Sequence, residues 1–154
     1  MHINPDHFLE TPAGRVVTPQ RNAWAWQQSF SLLAQALSAA GPGGLLYVLV
    51  GAQGAGKSTW AHACLRQEPE AIVFDAILVQ RTERAPILAE ARKQGINAVA
   101  VWFHTPLEIC LQRNAARPPD TLANAQGLRN VFAAVEPPTE EEGFATVLHV
   151  GHPV

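Results

Sequence analysis

Hydrophobic residues lie along the chain in short continuous runs that alternate with stretches of helical periodicity. The runs are bounded by turn-forming or polar residues, which is typical of strands buried on both faces. Strands are therefore predicted at residues 45–50, 71–74, 98–103 and 146–150. Strands that alternate with helices indicate a parallel sheet with helices on both faces, so we expect an α/β fold with a short, mostly parallel sheet of about four strands.

Helices are predicted before and between these strands. The first covers residues 19–40, with Thr18 as its N-cap, because apolar residues such as Trp26 and Leu33 recur at helical spacing. The others are expected to run from Lys57 to residue 67, from Thr82 to Gly95, from a Thr105–Glu108 capping box to Pro118, and from an Asp120 cap to Pro137. Residues 1–18 lack a clear period and are expected to form an extended arm, packed on the surface or partly mobile.

The composition narrows the class of protein. Of the 154 residues, 47% are hydrophobic and 16% are charged, which fits one compact globular domain. The net charge of -2 shows no basic excess, so it does not support nucleic-acid binding. It does not exclude a small basic pocket. Cys64 and Cys110 lack a CxxC spacing, and we expect two buried, reduced thiols.

No segment has the pattern of a signal peptide or of a membrane span. The N-terminus lacks a charged-then-apolar pattern, and no apolar run approaches the length of about 20 residues that a spanning helix needs. We therefore expect a soluble, cytoplasmic protein without a membrane partner.

The strongest chemical signal is a glycine-rich run with the spacing G-x-x-x-x-G-K-[ST], which follows a predicted strand and opens a predicted helix. Its residues are Gly51, Ala52, Gln53, Gly54, Ala55, Gly56, Lys57 and Ser58, followed by Thr59. Glycines let successive N–H groups point inward, and the helix N-terminus adds its positive dipole end. We predict that Gly51 to Thr59 bind Mg-ATP, with Lys57 on the β- and γ-phosphates and Ser58 as a Mg²⁺ ligand. An ordinary glycine-rich turn would leave the GKST tetrad unexplained.

Further candidate site residues follow the predicted strands. Asp75 ends the second strand, where ligands gather in an open parallel sheet, and is the candidate carboxylate near magnesium. The alternative is an aspartate that caps a turn. Arg113 and Arg117 are four residues apart, so they are expected to share a helical face and to close on the γ-phosphate. Two solvated surface arginines are the alternative, and Arg81 and Arg84 are weaker candidates for the same cleft.

Together these segments resemble a known family. GAQGAGKSTW, the strand ending in Asp75 and HTPLEICLQRNAARP are similar to the P-loop kinase-like ATPases related to polynucleotide kinase, with an AAA-type ATP-binding domain. The resemblance covers residues 45–150 and implies a minimal three-layer P-loop NTPase that uses ATP and Mg²⁺. It also implies that Arg113 and Arg117 belong to a lid helix whose arginines contact nucleotide phosphates, and Asn114 matches the same motif.

The sequence departs from the family pattern on the acceptor side. Such kinases carry another strand between the P-loop helix and the strand ending in Asp75, with an aspartate that activates the acceptor hydroxyl and an arginine after it. Only one strand fits between the two helices here, so that element is expected to be missing. His104 stands where the family commonly has aspartate and is a candidate substitute base. Residues 1–40 match nothing in the family.

Two functions follow as hypotheses. The leading one is a kinase-like phosphotransferase that acts on a small-molecule or nucleic-acid hydroxyl, with Lys57, Asp75, Arg113 and Arg117 as catalytic residues. The missing acceptor strand favours the alternative, a non-kinase ATP-binding or ATPase module that regulates a protein partner. Residues 1–44 are expected to form an N-terminal arm and amphipathic helix, and residues 45–154 the P-loop ATP-binding domain, within one compact unit.

Overall fold

The computed structural model describes residues 1–151 and has a parallel sheet at its centre. The strands, in chain order, are β1 (His2–Ile3), β2 (Glu10–Thr11), β3 (Gly14–Arg15), β4 (Leu45–Val50), β5 (Ile72–Asp75), β6 (Asn97–Phe103) and β7 (Thr146–Val150). The central sheet has five strands in the order β1-β5-β4-β6-β7, and every neighbouring pair in it is parallel. The short strands β2 and β3 form a separate antiparallel hairpin.

The predicted α/β class and parallel sheet are confirmed; the sheet has five strands where about four were predicted, because β1 adds one at its edge. This strand has two residues and is followed by Asn4 and Pro5, so it is too short to produce a period in the sequence. It is held instead by pairing with β5, in which His2 lies opposite Val73. The expected surface arm is therefore an edge strand of the central sheet.

Helices cover both faces of the sheet. They are α1 (Pro19–Ala40), α2 (Lys57–Gln67), α3 (Arg81–Lys93), α4 (Leu107–Ala115) and α5 (Ala125–Ala134), with short 3-10 helices at Pro5–Leu9, Gly41–Gly43 and Glu140–Glu142. Successive side chains of β4 point to opposite faces of the sheet, so the hydrophobic core consists of two clusters. Leu46 and Val48 pack with residues of α1 and α3, whereas Tyr47 and Leu49 pack with residues of α2, α4 and α5. In the second cluster Cys110 is buried as expected, while Cys64 is only partly buried.

Two predicted helix caps are wrong, and α3 begins at Arg81 rather than at Thr82 because Gln80 caps it. Thr105 does not cap α4, because its hydroxyl donates to the carbonyl oxygen of Ala55 at 2.7 Å, and the helix begins at Leu107. Helix α5 is capped by Asn124 rather than by Asp120, whose carboxylate accepts instead from the backbone N–H of Arg15 at 3.0 Å. In both cases the side chain has a partner distant in sequence, which a local capping pattern does not reveal.

Parallel pairing brings the carboxyl ends of all five strands of the sheet to one edge. The glycine-rich loop follows β4 at this edge, and Asp75 ends the neighbouring strand β5. Residues after β1, β6 and β7 arrive at the same edge, which is where open α/β sheets bind ligands. Within residues 1–151, no helix combines the length and the hydropathy that crossing a bilayer requires.

Candidate functional site

The loop between β4 and α2 has the backbone conformation that its glycines allow. Gly54 and Gly56 have φ angles of 78° and 102°, which residues other than glycine rarely adopt. A Cβ atom on Gly54 would lie 2.5 Å from the carbonyl oxygen of Cys110 in α4, so the loop and this helix are in direct contact. Gly56 is the N-cap of α2, so the N-terminus of the helix lies at the end of the loop. Such a loop presents backbone N–H groups to an anion.

Lys57 is partly buried and folds back on the loop. Its Nζ donates to the carbonyl oxygens of Gly51 and Ala52 at 2.7 and 3.3 Å. Burial lowers the pKa of Lys57, the charge of Asp75 opposes this effect, and the charge of Arg117 adds to it. Burial makes the positive charge of Lys57 energetically unfavourable, and a polyanion bound at the loop would stabilise that charge.

Asp75 is buried, with 2% of its surface exposed, and lies at the centre of a hydrogen-bond network. Its Oδ2 accepts from the Ser58 hydroxyl at 2.9 Å and from Asn4 Nδ2 at 3.3 Å, and it lies 2.8 Å from His2 Nε2. Burial alone would raise the pKa of Asp75, but the hydrogen bond with His2, the charge of Lys57 and the bond from Ser58 together lower it. The carboxylate is therefore ionised and tied to Ser58, where a metal-bound nucleotide requires negative charge.

His2 and Asn4 are neighbours of Asp75 that the sequence did not predict. They come from β1 and the residue after it, and 73 and 71 positions separate them from Asp75. Only the pairing of β1 with β5 brings them together. No short-range pattern around His2 or Asn4 signals this contact, because the strand is too short to be recognised.

Arg113 and Arg117 both line the same cleft as Lys57, but not as residues of one helical face. Helix α4 ends at Ala115, and Arg117 lies in the turn that follows, where its N–H donates to the carbonyl oxygen of Asn114 at 3.0 Å. The prediction of a shared helical face is therefore wrong. Arg113 Nη1 donates to the carbonyl oxygen of Gly54 at 3.2 Å, so it contacts the loop directly.

Asn114 holds the turn that carries Arg117. Its side chain is buried, donates to the carbonyl oxygen of Ala123 at 2.7 Å and accepts from the N–H of the same residue at 2.9 Å. This paired contact closes the chain between α4 and α5. The asparagine of the lid motif thus positions a backbone segment, and the arginines on either side of it are the groups in the cleft.

The structure excludes three weaker candidates from the cleft. Arg84 is fully buried and pairs with Glu142, and Arg81 lies beside Thr139 and the same glutamate. His104 Nε2 lies 2.8 Å from His149 Nδ1, with the two rings stacked, and its side chain does not line the cleft. A residue type suited to phosphate or proton transfer is not sufficient when its nearest partners lie elsewhere in the fold.

These groups surround one cleft of about 1090 Å³ at the carboxyl edge of the sheet. The glycine-rich loop contributes Ala52, Gln53, Gly54, Ala55, Gly56, Lys57, Ser58 and Thr59, and the lid side contributes Arg113, Arg117 and Thr121. Asp75 lies between the loop and a further set of lining residues from the N-terminal segment. We call this last set the N-terminal wall; it consists of Asn4, Pro5, Asp6, His7, Arg15, Asn22 and Trp26.

Comparison with known families gives one match. Residues 65–138, which include Asp75, Arg113 and Arg117, match the model of the AAA domain. This segment is an AAA domain of the P-loop NTPase class. The match begins after the glycine-rich loop, so the loop and the family match are separate indications of nucleotide binding. A search of curated proteins finds no match to the chain.

The cleft has residues that fit magnesium held together with a nucleotide. Mg²⁺ prefers hard oxygen ligands and commonly binds through one or two protein oxygens, several waters and the phosphates of the nucleotide. The Ser58 hydroxyl and the Asp75 carboxylate form such a pair of oxygens, 2.9 Å apart. Within the described residues no group of three or more His, Cys, Asp or Glu side chains could hold a metal by itself. The two oxygens of Ser58 and Asp75 suit a Mg²⁺ ion that arrives bound to the phosphates of the nucleotide.

Replacement of Asp75 by asparagine is expected to remove the magnesium dependence of nucleotide binding. The variant keeps the shape of the side chain but loses the negative charge beside Ser58. ATP affinity measured by calorimetry in EDTA should change little, whereas the gain in affinity on adding Mg²⁺ should largely disappear. Asn124→Ala, a cap removal outside the cleft, controls for a general loss of stability. An undiminished magnesium effect in Asp75→Asn would make Asp75 a structural residue only.

Proposed function

We propose that the protein binds Mg-ATP at the glycine-rich loop and transfers the γ-phosphate of ATP to the hydroxyl group of an acceptor. The observation that carries this proposal is the convergence of three cationic side chains, Lys57, Arg113 and Arg117, on the cleft that contains Asp75. Phosphoryl transfer depends on positioning and on neutralising charge that spreads over the phosphate oxygens. Three cations beside one buried carboxylate supply these requirements in a small space.

Each protein group has a separate task in this reaction. The N–H groups of the loop and of the first turn of α2 hold the phosphate oxygens, and Lys57 exchanges its bonds to Gly51 and Ala52 for bonds to phosphate. Arg117, near enough for its charge to affect Lys57, neutralises charge on the transferred group. Bound magnesium would supply further charge neutralisation on the β- and γ-phosphates.

The N-terminal wall favours transfer to an acceptor over a purely regulatory nucleotide site. As expected, β5 is the one strand between α2 and α3, and the sheet edge beside β5 is occupied by β1, which leads into the wall. The cleft extends from the loop to the wall, and its volume of about 1090 Å³ is at the upper limit for a pocket that binds one small ligand. We therefore assign the loop side of the cleft to the nucleotide and the wall side to the second substrate.

A transfer assay with γ-labelled ATP tests the proposal directly. The protein would be incubated with nucleosides, small alcohols or an oligonucleotide with a free 5′-hydroxyl, and the label would be traced to the acceptor or to free phosphate. Label on an acceptor supports the phosphotransferase. Label recovered only as free phosphate would contradict it and would favour the alternative, an ATPase or ATP-binding module that acts on a protein partner.

Arg117→Ala is expected to lower the rate of the chemical step more than it weakens ATP binding. If the guanidinium acts on charge that develops during transfer, its loss should cost about 2–4 kcal/mol of barrier, or about 10²–10³ in rate. Single-turnover rates at saturating ATP measure this effect.

Arg129→Ala is the matched control, since Arg129 is exposed on α5 and does not line the cleft. Arg113→Ala should affect ATP affinity as well as rate, because Arg113 bonds the loop at Gly54. Equal rates in the parent, Arg117→Ala and Arg129→Ala would remove Arg117 from the mechanism.

A further inference from the structure

The N-terminal wall lies on the opposite side of the glycine-rich loop from β6 and β7. The loop follows β4, Asp75 ends β5, and β1 completes the edge of the sheet beyond β5. Since the strands are parallel, the chain that leaves β1 passes directly into the cleft. None of the wall residues belongs to the segment that matches the AAA domain. The wall, like the glycine-rich loop, therefore comes from a part of the chain that the match does not cover.

Two carboxylates line the cleft among the described residues, and they differ in their exposure and in the number of their hydrogen bonds. Asp75 is 2% exposed, and its Oδ2 already contacts Ser58, His2 and Asn4. The side chain of Asp6 is 52% exposed, and its one recorded side-chain bond is a long contact of 3.4 Å from Arg15 Nη1. A base must be able to accept a proton from a substrate, and Asp6 is the carboxylate in the cleft that is open to do so.

The backbone around Asp6 fixes its position. Its N–H donates to Asn4 Oδ1 at 2.9 Å, which caps the 3-10 helix Pro5–Leu9 at the end of β1. Arg15, in the hairpin strand β3, approaches its carboxylate and is itself bonded to Glu10 at 2.9 and 3.1 Å. Asp6 is thus held in the cleft by local bonds, while one side of its carboxylate faces solvent.

We propose that Asp6 is the base of the transfer reaction and that the N-terminal wall binds a small, uncharged molecule that carries the acceptor hydroxyl. This inference rests on the proposed phosphotransferase function. The hydroxyl oxygen forms a bond to the γ-phosphorus, the bond from that phosphorus to the β–γ bridging oxygen breaks, and ADP leaves with the electron pair. The proton of the hydroxyl passes to the carboxylate of Asp6, which later returns it to water.

The charges of the wall favour an uncharged acceptor over a nucleic-acid strand. Binding of a phosphodiester backbone relies on free Lys and Arg side chains. Arg15, the one Lys or Arg residue in the wall, is already paired with Asp6 and Glu10. Burial and then the charge of His2 lower the pKa of His7, which keeps this ring neutral near pH 7. The wall therefore offers a phosphodiester no unpaired cation, and Asp6 would repel it.

The hairpin that carries Arg15 is also fixed against another segment of the chain. The hairpin β2–β3 meets the chain after α4, where the N–H of Arg15 donates to Asp120 Oδ2 at 3.0 Å. A Cβ atom on Gly14 would lie 3.0 Å from the same oxygen, so the two segments are in close contact. The wall also presents the Trp26 ring and the Asn22 amide, which suit the apolar surface and polar groups of a compact molecule.

Asp6→Asn and Glu10→Gln form a matched pair of variants for the test. Each removes one negative charge from the partners of Arg15, but only Asp6 lines the cleft. Transfer from γ-labelled ATP would be measured with glycerol, nucleosides and an oligonucleotide carrying a 5′-hydroxyl, and ATP affinity by calorimetry. Loss of a general base should lower the transfer rate of Asp6→Asn by about 10²–10⁴-fold with little change in ATP affinity, and Glu10→Gln should have a much smaller effect. The pH profile of Asp6→Asn should also lose the limb that belongs to the base.

The outcomes separate this inference from the function on which it rests. Transfer by Asp6→Asn at the rate of Glu10→Gln would overturn Asp6 as the base and leave the phosphotransferase intact. Preference of the parent for the oligonucleotide over every small acceptor would overturn the assignment of the wall to a small molecule. Absence of transfer by the parent to any acceptor would overturn the proposed function and this inference with it.

Discussion

Lys57→Ala is expected to weaken Mg-ATP binding strongly and to abolish phosphoryl transfer. The N–H groups of the loop are dipoles, and they do not replace a full positive charge beside a triphosphate. Loss of one such charge contact costs about 2–4 kcal/mol in the transition state, or about 10²–10³ in rate, and weaker binding adds to this loss. Calorimetric titration with Mg-ATP and single-turnover kinetics would measure the two effects separately.

The fold should survive this substitution. Burial lowers the pKa of Lys57, which means that the folded protein holds the charge at some cost. Removal of the charge relieves this cost but also removes the bonds to Gly51 and Ala52, so the melting temperature should change little. Lys93→Ala is the control, because Lys93 is 66% exposed, pairs with Glu90 on α3 and is absent from the cleft lining. Equal ATP affinity for Lys57→Ala and Lys93→Ala would withdraw the interpretation of the glycine-rich loop as a nucleotide site.

The parts of the structure that could be predicted are those with local causes. The predicted bounds of α1 and α2 are confirmed, because Thr18 and Pro19 define the start of one and the loop glycines the start of the other. The glycine-rich loop was recognisable because eight consecutive residues carry its spacing, so no distant contact was needed to identify it. Capping, periodicity and a contiguous motif act over a few residues and are present in the sequence as such.

The parts that could not be predicted depend on partners distant in the chain. His2 meets Asp75 only because β1 pairs with β5, and a strand of two residues leaves no periodic signal. The same limit applies to Arg117, since the sequence gives four-residue spacing but not the end of α4 at Ala115. Arg84 was a candidate for the cleft because of its charge, and its partner Glu142 is 58 positions away. Residue type specifies what a side chain can do, and tertiary contacts select which of these roles is realised.

Arg84→Ala is expected to lower the free energy of unfolding more than any other single substitution described above. Arg84 is fully buried, donates to both carboxylate oxygens of Glu142 at 2.8 and 3.0 Å and to the carbonyl oxygen of Leu78 at 3.1 Å. Its removal leaves Glu142, which is 4% exposed, as a buried charge without its cation. Breaking a buried ion pair in this way costs about 3–5 kcal/mol in the free energy of unfolding. Urea unfolding of the variant and the parent would measure it.

Arg81→Ala provides a control on the same helix and against the same carboxylate. The Arg81 side chain is 45% exposed, and its Nε lies 3.9 Å from Glu142 Oε2, so its removal should cost less than about 1 kcal/mol. The double variant Arg84→Met with Glu142→Leu removes both buried charges and should be more stable than Arg84→Ala, because apolar side chains of similar volume need no ionic partner. A small effect of Arg84→Ala on unfolding, together with a loss of ATP affinity, would contradict the structural role and return Arg84 to the nucleotide site.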